Sequence, residues 1–382
     1  MSAALHLYIH IPFCERVCAY CDFARVAGRR ELHAPYITVV IQELQRTVPL
    51  LATREIATLY IGGGTPSCLP PHELARLLAA VRRQCRVAPG AEVTVECNPH
   101  HVTEQWARAL MAEGVNRFSV GVQSLNDGEL RILRRLHTAD DARRAFRVLR
   151  ACGCENISVD LMYGLPDQTK ATWRAAITEV TEEWRPEHIS LYALHLERGT
   201  PLYRMRHAAG ARHAWPDDEH TMNWYWHAVD TMCARGYEQY ELSNCARPGC
   251  ASRHNAAYWD THKEYLGLGA AAHSYCTLQP WAAPRRFRTV RDVRTYCARV
   301  TAGQRWRMCS RVLPLHARLG EELYLGLRRT NGVVPRPDHR KEFGAVIARQ
   351  IDSGLVRSLP DGAIALTRRG MEIANTVMAE YV

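Results

Sequence analysis

The stretch Cys14-Glu15-Arg16-Val17-Cys18-Ala19-Tyr20-Cys21 decides how the rest of the chain is interpreted. Three cysteines stand at the spacing C-x3-C-x2-C, directly after the strand-like run Leu5–Ile11. Thiolates are soft ligands that suit iron–sulfur clusters. A [4Fe-4S] cube has four irons, so three cysteines leave one iron free to bind a small molecule. The spacing therefore predicts a [4Fe-4S] cluster held by Cys14, Cys18 and Cys21, with one exchangeable position.

Two simpler interpretations of the cysteines remain open from the sequence. Free cysteines often pack as small buried hydrophobes, but three of them on one short loop are unusual for packing. A structural zinc ion needs four nitrogen or sulfur ligands. The adjoining Asp22-Phe23 offers no obvious fourth ligand, although His10 is available.

Length and composition are those of an ordinary globular chain. With 382 residues, 47% hydrophobic and 23% charged, one large domain and one or two smaller ones are expected. No apolar run approaches the length of a membrane span. The N-terminal Met1–Ala4 has no basic region and no cleavage site, which predicts that there is no signal peptide. Together with fourteen cysteines, this predicts a reducing, cytoplasmic location.

The net charge of +10 is carried almost wholly by arginine, since lysine occurs only at 170, 263 and 341. Compositional bias is the simpler explanation. The other is a partner with carboxylates, such as haem propionates, because the guanidinium fork binds carboxylates in a bidentate manner. Nucleic acid is not expected as a partner, because the arginines are dispersed and no nucleic-acid-binding motif is found.

Up to about residue 200 the chain alternates β-rich runs with amphipathic helical segments. The predicted strands are Leu5–Ile11, Ile56–Ile61, Glu92–Glu96, Asn116–Val120, Asn156–Leu161 and His188–Tyr192. The predicted helices lie near 35–48, 72–84, 103–113, 126–150 and 170–184. This order predicts an α/β fold in which six units form a partial (β/α)6 barrel. Reactive groups are expected at the C-terminal ends of the strands.

Glycines and polar residues do follow these predicted strands. The turn Gly62–Pro66 lets backbone approach a ligand and offers N–H groups to an anion. Glu96 ends the third strand, where a ribose hydroxyl or an ammonium group suits it and a surface charge is the simpler alternative. Arg135 could pair with a carboxylate, although spacing alone favours a solvated helix face. Gly121–Ser124 and Asp160–Pro166 follow the fourth and fifth strands.

The cysteine spacing resembles the signature of the radical S-adenosylmethionine (SAM) superfamily. Further stretches resemble the family of oxygen-independent coproporphyrinogen III oxidase and its relatives: Tyr8–Cys14, Gly62–Pro66, Gly121–Ser124, Asp160–Pro166 and His188–Tyr192. The resemblance implies that the amino and carboxylate groups of SAM bind the open iron. It also implies that one electron from the cluster cleaves the C–S bond of SAM to give a 5′-deoxyadenosyl radical. By motif, the resemblance assigns SAM contacts to Tyr8, Tyr20, Gly64, Thr65, Glu96, Gln123, Arg135 and Asp160.

Three parts of the chain are expected. A radical SAM (β/α)6 core is predicted over 1–215, and a family-specific extension that packs on the barrel over 216–305. Residues 306–382 have helical patterning rich in arginine and leucine, which predicts a small, mainly helical, winged-helix-like domain. Within the extension we expect a helix near 217–235 and a strand over Tyr237–Asn244.

Two features separate the branches of this family. The oxidases carry a fourth cysteine two positions after the third, where this sequence has Phe23. They also carry an N-terminal extension, whereas only thirteen residues precede Cys14 here. Both differences put oxidase activity in doubt. The chain resembles the haem chaperone branch instead, which implies that it binds haem and delivers it to respiratory haem proteins.

The motif His254-Asn255-x-x-Tyr258-Trp259 fits that branch, in which it is associated with haem binding. Neutral imidazole is a usual axial ligand of haem iron. Tyr258 and Trp259 supply flat apolar area with a polar group, and Arg253 could meet a propionate. The alternative is that His254 is a hydrogen-bonded loop histidine, and that Tyr258 and Trp259 belong to a core between domains.

Three other functions stay open from the sequence. They are a true coproporphyrinogen oxidase, a related radical SAM methyltransferase, and an interaction module with a vestigial cluster. One local difference concerns Gly269-Ala270-Ala271-Ala272-His273, where the family usually has Gly-Pro-Gly-Ala-His. Because alanine restricts the backbone at 271, the loop that faces SAM is expected to have a different shape.

Overall fold

Six strand–helix units build the centre of the molecule. A computed structural model describes residues 4–51, 54–208, 210, 212–278 and 284–382. Residues 1–3, which contributed to the cytoplasmic prediction, lie outside the described residues. The six strands are β1 Leu5–Ile11, β2 Glu55–Gly63, β3 Arg86–Cys97, β4 Arg117–Gln123, β5 Ile157–Tyr163 and β6 His188–Ala193. They pair in parallel and in chain order, which confirms the predicted α/β class.

The helices of these units match the predicted segments, with two corrections. They are α1 His33–Thr47, α2 Pro71–Gln84, α3 Glu104–Ala112, α4 Asp127–Ile132, α5 Ala139–Ala151 and α6 Lys170–Thr178. The predicted single helix over 126–150 is wrong, because the helix is interrupted between α4 and α5, where Arg134 has a φ of 57°. A Thr138–Asp141 capping box then begins α5. The segment after α6 continues as a π-helical turn, Glu179–Trp184.

Strand β1 shows how the sequence divides the barrel into two surfaces. Leu5, Leu7, Ile9 and Ile11 are all fully buried in the main hydrophobic core, which also contains α1. Side chains alternate along a strand, so the polar residues between them, such as Tyr8, face the barrel interior. The barrel is therefore apolar outside, under its helices, and polar inside.

The sheet continues beyond the barrel on both sides. The added strands are β7 Glu238–Glu241, β8 Asn244–Ala246, β9 Glu264–Leu268, β10 His273–Cys276, β11 Arg285–Thr289 and β12 Arg307–Arg311. Among the described residues the order is β12-β11-β10-β9-β1-β2-β3-β4-β5-β6-β8-β7. The predicted single strand over Tyr237–Asn244 is wrong, since β7 and β8 form an antiparallel hairpin. Strand β9 pairs in parallel with β1 and so borders the barrel directly.

The remaining elements pack around this sheet or form a second core. They are α7 Pro201–His207, α8 Asp218–Ala234, α9 Arg253–Tyr258, α10 Val293–Thr301, α11 Leu315–Gly326, α12 Pro337–Asp352, β13 Val356–Ser358, β14 Ile364–Leu366, α13 Arg368–Glu372 and α14 Ala374–Ala379. Helices α11, α12 and α14 and both strands of the β13–β14 hairpin contribute to a hydrophobic cluster separate from the main core.

The predicted division of the chain at 215 and 305 stays a prediction. Strand β12 belongs to the main sheet, so the second core begins after it, with α11. None of the helices in the described ranges has the length and apolar character needed to cross a membrane.

Candidate cluster and cofactor site

The three predicted cluster cysteines lie on a loop that leaves the C-terminal end of β1. A two-residue pairing of Phe13–Cys14 with Val26–Ala27 closes the base of this loop. Its middle is held by the backbone of Ala19, which donates to the Leu133 carbonyl at 3.0 Å and accepts from the Leu202 N–H at 2.9 Å. The loop therefore has fixed anchors on both sides of Cys18.

The sulfurs of Cys14 and Cys18 each accept a hydrogen bond from a residue that is predicted to contact SAM. Thr65 Oγ1 lies 3.6 Å from Cys14 Sγ, and Arg135 Nη1 lies 3.5 Å from Cys18 Sγ. Burial raises the pKa of the Cys14 thiol to about 11 and also raises the pKa of Cys21. These thiolates thus need a positive partner, which iron would supply.

The arrangement of the cysteines argues against a single zinc ion. Within the described ranges, only Glu15, His100 and His101 bring three potential ligand atoms within 4.8 Å of one another. Around one tetrahedral zinc ion, cysteine sulfurs would lie roughly 3.8 Å apart. The sulfurs of Cys14, Cys18 and Cys21 do not all lie within 4.8 Å of one another. This fits a cluster, in which each cysteine binds a different iron.

The glycine turn after β2 packs directly against the cluster loop. The Gly64 N–H donates to the Ile11 carbonyl at 2.7 Å, and the Thr65 N–H donates to the Phe13 carbonyl at 2.8 Å. A Cβ atom at Gly64 would lie 2.6 Å from the Phe13 oxygen and 3.0 Å from Cys14 Sγ. Only glycine fits this close approach, so the turn and the loop are positioned as one unit.

Glu96 is held beneath the glycine turn at the end of β3. Tyr60 Oη donates to its Oε1 at 2.8 Å, and the Gly63 N–H donates to its Oε2 at 3.1 Å. Burial raises the pKa of Glu96 to about 7. A carboxyl with such a pKa is available both as an acceptor for a ribose hydroxyl and as a partner of an ammonium group.

Arg135 does not lie on a solvated helix face, the alternative that its spacing favoured. It follows the break after α4, and its Nη2 donates to Asn98 Oδ1 at 2.6 Å and to the Gly121 carbonyl at 2.7 Å. Through Nη1 it also reaches Cys18. Arg135 therefore joins the ends of β3 and β4 to the cluster loop, beside Tyr20, with which it interacts electrostatically.

Gln123 and Asp160 complete the predicted set and differ in setting. Gln123 ends β4 with a φ of 66°, a conformation that is rare outside glycine and common at ligand sites. Asp160 accepts from Ser119 Oγ at 3.1 Å and from Ser158 Oγ at 3.4 Å. Burial raises the pKa of Asp160. Because Asp160 accepts these serine hydrogen bonds, its carboxyl already has partners within the barrel.

A cavity of about 500 Å³ opens at this end of the barrel. Of the predicted SAM residues, Tyr8 and Glu96 line it, while Tyr20, Gly64, Thr65, Gln123, Arg135 and Asp160 do not. Phe23, at the position of the oxidases' fourth cysteine, lies at the same cavity and is 64% exposed. The cavity thus joins the predicted SAM pocket to the residue that distinguishes the branches.

Several residues that line the cavity were missed from the sequence. His10 lies two positions after Tyr8, and its Nδ1 is 3.0 Å from Tyr8 Oη. The alternation of β1 was a signal for it, since both side chains face the barrel interior. Arg288 and Arg291 arrive from the end of β11 and the following loop. No sequence pattern indicated this, because the extension of the sheet was not predicted.

Ala271 has an unusual backbone conformation for a residue with a side chain. Ala271 lines the cavity with a φ of 63°, in the left-handed region that favours glycine. Its N–H donates to the Val290 carbonyl at 2.9 Å. Alanine thus occupies this position in a strained conformation.

His254 lies inside the barrel and is 1% exposed. Its Nδ1 is 2.6 Å from Thr58 Oγ1, and its Nε2 is 2.9 Å from Tyr258 Oη. The ring also stacks on Tyr60 with the centroids 5.0 Å apart. Both ring nitrogens are therefore engaged in this conformation, as in the alternative of a hydrogen-bonded histidine. A role for His254 as a haem ligand stays a prediction.

The sequence was compared with family models and with known proteins. A family model for the radical SAM superfamily matches residues 8–180. The heme chaperone HemW of Lactococcus lactis is 33% identical over 98% of this chain and 96% of that protein. The HemW of Bacillus subtilis is also 33% identical, over 98% of both chains.

One solved structure has the same overall architecture. Coproporphyrinogen III oxidase (HemN) from Escherichia coli, a radical SAM enzyme, has a TM-score of 0.84 and 22% identity. The match covers 100% of this chain and 90% of that chain. At this identity the likeness shows a shared fold.

Proposed function

The chain belongs to the radical SAM superfamily and to the family of its HemW relatives, and from this premise we propose that it binds haem and delivers it to respiratory haem proteins. The family implies a [4Fe-4S] cluster and SAM as cofactors. The relatives' name, heme chaperone, supports haem as the cargo. Every cysteine whose side chain the structure describes is free, which supports a reducing compartment such as the cytoplasm.

The observation that carries the proposal is Phe23 at the mouth of the cavity. An exposed phenylalanine beside the predicted cluster offers a flat apolar surface where an oxidase has a fourth cysteine. Arg288 and Arg291 line the same cavity. A planar macrocycle with propionates needs this combination of aromatic surface and guanidinium groups.

We assign the predicted roles to the chain's own residues. Cys14, Cys18 and Cys21 would hold the cluster, and SAM, when bound there, supplies the capacity for one-electron cleavage of its C–S bond. Glu96 and the glycine turn would orient the cofactor, and Arg135 would fix the loop that carries the cluster. Cluster or SAM occupancy can thereby influence the cavity mouth, since Phe23 lies two residues after Cys21.

His254 would contact haem only after a rearrangement. To bind iron, one ring nitrogen must give up its bond to Thr58 or to Tyr258. Substitution of Tyr258 by phenylalanine frees Nε2 while the ring volume is kept. If His254 is a ligand, Tyr258→Phe should strengthen haem binding and His254→Ala should remove the histidine signature from the spectrum of bound haem.

The test of the proposal is an anaerobic haem titration of the reconstituted protein. We expect saturable binding in the wild type and at least tenfold weaker binding in Arg288→Ala/Arg291→Ala, because two propionate partners are removed. Arg294→Ala is the matched control, since Arg294 is exposed nearby and does not line the cavity. Absence of saturable haem binding by the wild type would reject the proposal.

Coproporphyrinogen oxidation is the second candidate, because stretches such as Tyr8–Cys14 and Asp160–Pro166 resemble the coproporphyrinogen oxidase family. That reaction removes two propionate carboxylates and would need the substrate's propionates near the radical. Conversion of coproporphyrinogen to protoporphyrinogen by the purified protein, with SAM and a reductant, would establish it.

A further inference from the structure

A cluster of potential metal ligands lies beside the cysteine loop, and the proposed function gives it no role. We call Glu15, His100 and His101 the His–His–Glu triad. Glu15 Oε2 lies 3.0 Å from His100 Nε2 and 3.2 Å from His101 Nε2. The two imidazole rings have centroids 4.0 Å apart. All three side chains are at least two-thirds buried, with 29%, 20% and 13% of their surface exposed.

The second histidine lacks a partner that satisfies it. His101 Nε2 is buried and makes no hydrogen bond of acceptable geometry, although it points at a carboxylate oxygen. Ser67 Oγ lies 2.9 Å from His101 Nδ1. When Nδ1–H donates to that hydroxyl, the lone pair of Nε2 faces Glu15. Such an outer hydrogen bond is how proteins orient a metal-binding histidine.

The backbone around the triad holds it in place. His100 and His101 form the turn that follows β3, and the Asn98 N–H donates to Ser67 Oγ at 3.0 Å. On the other side, Arg30 Nη2 donates to Glu15 Oε1 at 2.9 Å and leaves Oε2 for the histidines. The two separations between Glu15 and the histidine nitrogens are thus close to the roughly 3.4 Å that ligands keep around a tetrahedral zinc ion. All three ligand atoms lie within 4.8 Å of one another.

We propose that the His–His–Glu triad binds one divalent transition-metal ion of the zinc class and so fastens the cluster loop to the end of β3. Imidazole and carboxylate ligands suit Zn²⁺ and Fe²⁺, whereas Ca²⁺ and Mg²⁺ prefer oxygen alone. Three protein ligands leave one position for water. Because Glu15 is the residue after Cys14, the ion would restrain the loop at a second point, in addition to its backbone anchors at Ala19.

The experiment uses the reconstituted holoprotein, in which the cysteines are occupied by iron. After dialysis against Zn²⁺, we expect one zinc per chain in the wild type, with the iron content unchanged. His100→Asn/His101→Asn should bind zinc at least tenfold more weakly. His72→Asn is the matched control, because His72 Nε2 lies 3.6 Å from Glu73 Oε1 without a second histidine. Equal zinc uptake by the double variant would overturn the site.

X-ray absorption at the zinc edge of the wild type tests the ligand set without any variant. The triad predicts nitrogen and oxygen scatterers with two imidazoles and no sulfur. Sulfur scatterers would place the zinc on the cysteines and contradict the proposal. Amide exchange over residues 14–21 tests the fastening, since zinc should slow exchange in the wild type and in His72→Asn. Unchanged exchange with zinc bound would refute it.

Discussion

The two halves of the barrel interior use polar residues in opposite ways. In the lower half a continuous chain runs from His6 through Thr58 and His254 to Tyr258, with successive contacts of 2.9, 2.6 and 2.9 Å. At the upper rim, Gln123 has a left-handed backbone, and Glu96 has a pKa raised by burial to about 7. Burial shifts ionisation in both halves, since it also lowers the pKa of His6 to about 4 and that of His254. What differs is that the rim has a strained backbone at Gln123, where a ligand is expected, while the lower residues satisfy one another's hydrogen bonds.

The largest expected effect is the loss of the iron–sulfur cluster when one of its cysteines at the upper rim is replaced. Cys14→Ser removes one of three iron ligands, so the anaerobically reconstituted variant should lose the cluster's iron and its visible absorbance almost completely. Cys233→Ser, an exposed cysteine far along the chain, should keep both. Equal iron content in Cys14→Ser and in the wild type would contradict the assignment of the cluster.

Glu96→Gln should increase the stability of the protein at high pH and weaken its binding of SAM. Burial raises the folded-state pKa of Glu96 above its ordinary value of 4.5, to about 7. The carboxyl therefore favours folding below pH 4.5, and this contribution is lost as the pH rises through 7. At pH 8 and without SAM, the glutamine variant should be more stable than the wild type by up to about 3 kcal/mol.

Denaturant unfolding at pH 5 and pH 8 measures this difference, and calorimetry measures SAM affinity. We expect the variant to bind SAM at least tenfold more weakly, because an ionised partner for SAM is lost. A stability gain that does not depend on pH would show that the raised pKa is not its cause. Unchanged SAM affinity would remove Glu96 from the cofactor site.

His254→Ala tests the lower half of the barrel. The change removes two buried hydrogen bonds and opens a cavity, so the free energy of unfolding should fall by about 2–4 kcal/mol. Cluster content and SAM affinity should stay unchanged. His262→Ala, an exposed histidine close in sequence, is the control and should have little effect. If His254→Ala leaves stability intact and abolishes haem binding, His254 belongs with the functional residues.

The smallest expected effect concerns Ala271. Glycine adopts its φ of 63° without the cost that a Cβ atom adds, so Ala271→Gly should raise the free energy of unfolding by about 0.5–1 kcal/mol. Thermal unfolding of the two proteins measures it. A lower melting temperature for the glycine variant would mean that the loop relaxes in some other way.

The strands of the barrel could be predicted because their burial follows local sequence patterns, as in β1. The break between α4 and α5 could not, since neither glycine nor proline marks it and Arg134 takes the left-handed conformation itself. The pairing of β9 with β1 joins residues more than 250 positions apart, which no local pattern encodes. For the same reason the motif at His254 indicated a special residue without showing that Thr58 and Tyr258 engage both its nitrogens.

The most direct test of the account combines haem retention with SAM cleavage in one anaerobic sample. The reconstituted protein is incubated with SAM, a reductant and haem, then separated by gel filtration and assayed for 5′-deoxyadenosine. A haem chaperone with an intact cofactor site predicts that haem elutes with the protein while SAM is cleaved little. Protein that elutes without haem, and that cleaves SAM and decarboxylates coproporphyrinogen in a parallel sample, would contradict the account and identify an oxidase.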